Sequence, residues 1–201
     1  MELLTLTALL LLAAYLHKTR EQKKRIALLA SHLGRYQIET LMENLTEGYL
    51  RCLGEDDPER REQIWKLLDT TEQTLAGQFQ RFAADFARVE DADARVSTLP
   101  LALPFAQALF PAKTFDMRTA LAIHARGIAD TAANSLQQAP KSKAYTMSAE
   151  LFLMQHTCHW YCRSRAVASA RMLARHKTSY AQLVDSVSPA TRRDYRALIG
   201  A

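Results

Sequence analysis

Cysteine is scarce and unpatterned. Cys52, Cys158 and Cys162 are odd in number and lack the spacing of a disulfide framework, so the fold cannot rest on covalent staples and the thiols are expected to be reduced. Glycine and proline are also few, six of each in 201 residues, and the period-two alternation of a half-buried strand is absent. Without strand pattern or abundant turn residues, a β-sandwich or barrel is excluded. The residues present in quantity, Ala, Leu, Gln, Glu and Arg, favour helix, and the fold class is read as all-α. No complete catalytic or cofactor motif occurs. The chain is accordingly read as a non-enzyme, with no catalytic residue, cofactor or metal assigned.

Long apolar runs are missing but for one, Leu3 to Leu16, and no Lys or Arg precedes it. Its fourteen residues include Leu3, Leu6, Leu9, Leu10, Leu11, Leu12 and Leu16. As a helix they span about 21 Å, against a hydrocarbon core of about 30 Å. Met1 and the stems of His17 and Lys18 could lengthen the run. A collar follows at once, with Lys18, Arg20, Lys23, Lys24 and Arg25.

This order inverts that of a cleaved signal peptide, and four consecutive leucines make the run apolar all round, against a helix lying in the interface or buried on one side. The sequence therefore predicts a transmembrane anchor over residues 1–17 and a helical domain over residues 18–201. The collar would keep that domain cytoplasmic and the N-terminus outside. Membrane lipid is one expected partner; the second is a protein or another copy of the chain.

From Ile26, apolar positions recur at helical steps through Leu29, Leu33, Tyr36, Leu41, Leu45, Tyr49 and Cys52. With Gly34 and Gly48 read as tolerated, one helix is expected from Leu3 to Leu53, stopping at Gly54. Asp57-Pro58 reads as N-cap and first residue of a second long helix, whose stripe includes Ile64, Leu68, Leu75, Phe79, Phe82 and Phe86. The short connection folds the two into an antiparallel hairpin.

Residues 96–114 break the pattern with Pro100, Pro104 and Pro111, yet carry Leu99, Leu101, Leu103, Phe105, Leu109 and Phe110. A packed lid with one helical turn near 105–110 is expected there, a partner-docking or membrane-touching patch being the alternative. Three to four further helices complete one bundle. One, capped by Thr114 or Asp116, ends before Pro140; the next runs from Ser142 to Leu173; caps at Thr178 or Ser179 and at Ser188-Pro189 open the last two.

The densest reactive residues are His156, Cys158, His159 and Cys162, which could supply soft metal ligands or an activated thiol. No second ligand cluster accompanies them, so the thiols are read as small core residues and His124 as a core histidine with a local partner. Charge is segregated: residues 55–93 hold eleven acids against five bases, residues 151–201 eight Lys or Arg against two acids. The basic end, Arg163, Arg165, Arg171, Arg175, Lys177, Arg192, Arg193 and Arg196, could bind nucleic acid but lacks a recognised signature. Pairing with the acidic helix, or facing anionic lipid, is preferred. The functional expectation is a membrane-anchored adaptor, scaffold or assembly factor. A metal- or thiol-dependent protein and a nucleic-acid binder are the alternatives.

Overall fold

The stripe that begins at Ile26 does form helix, but not one helix. The computed structural model describes residues 2–200, leaving Met1 and Ala201 outside the description. In it α1 (Glu2–Leu33) stops at Gly34, and α2 (Ile38–Leu53) begins after a turn. The expected single helix to Leu53 is thus corrected. Glycine in a helix interior costs about 1 kcal/mol relative to Ala, and the turn is held from outside. Tyr36 donates its hydroxyl to Asp85 at 2.5 Å, its ring meets Phe82 edge-on, and the Gln37 N–H donates to Gln78 at 2.7 Å.

The hairpin expected after it is present. The Asp57 carboxylate accepts from the amides of Glu59 and Arg60, and Pro58 opens α3 (Pro58–Phe86). Contacts from Cys52 to Arg61, Tyr49 to Glu72 and Tyr36 to Asp85 show α2 and α3 running antiparallel. Phe79, Phe82 and Phe86 are fully buried, a gain of roughly 1.5–3 kcal/mol each over exposure. At Gly48 the helices lie so close that a Cβ would strike Leu68.

A one-turn helix, α4 (Asp91–Ala94), leads into β1 (Arg95–Ser97), which pairs antiparallel with β2 (Thr114–Asp116) in the register Arg95 to Asp116, Val96 to Phe115 and Ser97 to Thr114. Three-residue strands are too short to show alternation. Together they close the neck of the 98–113 loop, which holds one helical turn, α5 (Ala106–Leu109).

Asp116 caps α6 (Met117–Ala132), and α7 (Pro140–Cys162) starts two residues before the expected Ser142. It also ends early. Ser164 takes an extended conformation and accepts from the Val167 amide to open α8 (Arg165–His176), where one helix to Leu173 was expected. The break is fixed by the loop, since the freed Ala166 N–H donates to Pro100 O at 3.0 Å. A Ser179–Gln182 capping box starts α9 (Tyr180–Ser186), and Ser188 with Pro189 starts α10 (Pro189–Ile199). Among the described residues seven helices therefore follow the hairpin, the single turns α4 and α5 and five longer ones, where three to four were expected. Helix α6 packs on α3, α7 and α10, and Ile123, Leu153, Met172, Leu183, Val187 and Tyr195 join a smaller core around α9 and α10.

The transmembrane expectation is corrected. Among the described residues no helix is long and apolar enough to cross a membrane. The apolar stretch is only fourteen residues; of the residues expected to lengthen it, His17 stacks on Phe105 and Lys18 lines a cleft, while Met1 lies outside the described residues. A single-pass protein with its N-terminus outside and a cytoplasmic domain does not follow, and the collar orients no span.

Candidate functional site

Helix α1 divides into two unlike halves. From Ile26 onward it rests on the body, with Leu29 buried; from Leu3 to Leu16 every side chain is exposed except the half-buried Ala14. Leu3 and Leu4 are each 78% exposed, and Leu9 to Leu12 lie between 53% and 67%. This first half is an apolar arm with no packed face. Thr7 donates to Leu3 O at 2.8 Å, and Thr19, just past the arm's base, to Tyr15 O at 2.9 Å.

The collar splits in two. Lys24 pairs with Asp93 at 2.5 Å. Arg25 donates to Tyr161 O at 3.3 Å and Arg95 O at 3.2 Å, with its guanidinium 5.5 Å from the Tyr161 ring centroid. A cation on the last carbonyls of α7 complements that helix's dipole, and Arg163 adds a bond to Gln22 at 2.8 Å. These contacts rivet α1 to the body. Among the described residues, the side chains of Lys18, Arg20 and Lys23 form no ion pair or hydrogen bond.

Beside the base of the arm stands the 98–113 loop. Its expected role as a lid is corrected, because Leu101, Leu103, Phe105, Leu109 and Phe110 are exposed and only Ala106 is buried. The lid reading failed because the core is already closed beneath by Val96, Phe115 and Trp160, which leaves the loop's own side chains outward. Trp160 fixes the neck by donating to Ser97 O at 2.9 Å, and Gln107 reaches back to Arg95 O. Phe105 stacks on His17, ring centroids 4.1 Å apart. Between the loop and the part of α1 that follows the arm lies a cleft of about 290 Å³, lined in part by His17, Lys18, Leu101, Phe105, Cys162 and Arg163. The two exposed apolar stretches, 85 residues apart in sequence, thus approach each other where the loop meets His17 and Lys18 at the base of the arm.

The His156–Cys162 segment does not converge. His156 is fully buried, bonded to Ser169 at 3.0 Å and stacked on Tyr180; Cys158 lies against Met154; His159 faces the groove with Arg171 and His176; Cys162 faces the cleft. Burial pushes the Cys158 thiol well up and Cys162 to about 11, the reverse of activation. Burial holds His124 and His156 neutral, each down to about 3, with the neighbouring His156 adding to the effect at His124. His124 Nε2 meets Thr157 at 2.9 Å, and Thr157 meets Tyr195 at 3.2 Å. Among the described residues no group of three or more His, Cys, Asp or Glu is placed to hold a metal ion.

The basic C-terminal end does not pair with the acidic helix. Arg196 binds Asp185, Arg193 and Arg126 bind Asp194, Arg192 caps the carbonyls of Asp185 and Val187, and Arg165 lies over Trp160. On α3, Glu72 and Asp69 instead hold Lys143 at 2.6 and 2.7 Å, with Tyr49 donating to Glu72 at 2.5 Å. Sequence reasoning missed that triad, because Lys143 lies in a segment with no charge pattern. No protein-family model matches the chain, and neither a curated protein nor a solved structure is significantly similar to it.

Proposed function

We propose that the chain works by association, as an adaptor or scaffold whose helical body is attached to a larger structure through the Leu3–Leu16 arm and the 98–113 loop. One observation supports this most: the longest apolar segment in the sequence is exposed on all sides, while the body has its own buried core. Exposed leucine is unremarkable singly, but a contiguous apolar surface of this extent marks a place that something else covers.

The test uses the full chain and a variant with Leu6→Glu, Leu10→Glu and Leu12→Glu. These side chains touch no core, so the variant should keep the wild-type helicity and thermal midpoint. In plain buffer the wild type should associate or take up detergent, and the variant should sediment as a monomer. A wild type that neither associates at tens of micromolar nor takes up detergent or lipid, indistinguishable from the variant, refutes the docking role.

A further inference from the structure

We infer that the surface covered by the arm and loop is an anionic lipid surface, entered from one side and not crossed. The inference rests on the docking role just given and names the partner. Two features favour lipid over a protein groove or a second copy. The arm presents leucine around its whole circumference, and a groove or a single partner helix would cover one stripe and leave the rest in water. Lipid surrounds.

Charge gives the second. Lys18, Arg20 and Lys23 have no side-chain partners among the described residues and follow directly on the arm, with Lys18 lining the cleft beside the loop. Phe105, Leu109 and Phe110 of that loop are exposed. Cations at that depth face phosphate, and aromatic rings favour the same boundary. In a bundle of parallel arms the same three cations would be crowded together. The arm's length sets its depth: fourteen residues, about 21 Å, exceed one leaflet of about 15 Å and fall short of the full core, so the arm enters one leaflet obliquely.

Vesicle co-sedimentation of the full-length protein tests this, with phosphatidylcholine–phosphatidylserine vesicles set against phosphatidylcholine alone. Binding should be stronger to the anionic vesicles by tenfold or more and weaken with salt. The Lys18→Ala, Arg20→Ala, Lys23→Ala variant should lose on the order of 10- to 100-fold in affinity at unchanged helicity. The Leu6→Glu, Leu10→Glu, Leu12→Glu variant should lose binding altogether. A tryptophan introduced by Tyr15→Trp should shift to the blue on binding and be quenched by lipids brominated on their acyl chains.

Failure separates cleanly. If the wild type ignores both vesicle types yet self-associates through the arm, a second copy is the occupant, and the lipid inference falls while the docking role stands. If it neither binds vesicles nor associates, both fall. Equal binding to neutral and anionic vesicles overturns the headgroup assignment to Lys18, Arg20 and Lys23.

Discussion

Phe105 stacks on His17 at 4.1 Å with 16° between the rings, although Phe105 sits in the left-handed region at φ 57° and half outside the body. A bulky residue at positive φ costs of order 1–3 kcal/mol, so the strain is borne where the loop meets the arm. Phe105→Gly removes strain and stack together. The expected result is a thermal midpoint within a few degrees of wild type, with faster amide hydrogen exchange at 104–110 and 16–19. Unchanged exchange in both segments would show that the stack does not couple them.

The buried histidines set the acid stability. His124 and His156 fall to about 3 in the folded protein through burial, well below the unfolded value near 6.5. A histidine whose folded pKa is depressed binds its proton more tightly in the unfolded chain. Stability is therefore full above about pH 6.5 and falls as the pH drops toward 3, by about 1.4 kcal/mol per pH unit for each histidine. Urea midpoints between pH 7.5 and 4.5 should trace that slope. His124→Gln should make it shallower, with His156, His159 and His176, also depressed by burial, supplying part of the remainder, and an unaltered slope would contradict the assignment.

Lys143 is the only cation held on Glu72 among the described residues, and Glu72 is 2% exposed. Lys143→Met leaves that carboxylate buried with Tyr49 alone and should cost about 3–5 kcal/mol. Adding Glu72→Gln should recover much of the loss, because the stranded charge goes with it. The double-mutant cycle in urea reads the difference. Additive losses would mean that the two side chains do not act as a pair.

Two glycines within helices should respond with opposite signs. At Gly127 of α6 a Cβ would collide with Thr191 and Glu150, so Gly127→Ala should destabilise by about 1–3 kcal/mol, through forced displacement of α10 or α7. At Gly77 of α3 nothing lies within 4 Å, and Gly77→Ala should stabilise by roughly 0.5–1 kcal/mol. Chemical denaturation of the pair checks both.

Legibility followed locality. The caps at Asp57 and Ser188 could be read outright, and those at Asp116 and Ser179 as one of two nearby choices, because each is an interaction within one turn of chain. The breaks at Gly34 and Ser164 could not, since bonds to Gln78 and Pro100, distant in sequence, hold them. The three-residue strands fall below any periodic signal. At the candidate site the sequence located both apolar stretches and the cations between arm and body, but mistook the loop for a lid and the arm for a span. Composition states how apolar a segment is; what covers it depends on whether the core already has its fill, which here is decided by Val96, Phe115 and Trp160.

Between Glu2 and Leu33 the backbone has no hinge, so arm and body turn as one lever. Adding or deleting a single residue between Leu16 and Lys24 would swing the arm by about 100° and slide it by about 1.5 Å against its rivets. Whatever grips the arm consequently sets the azimuth of the whole molecule as well as its location.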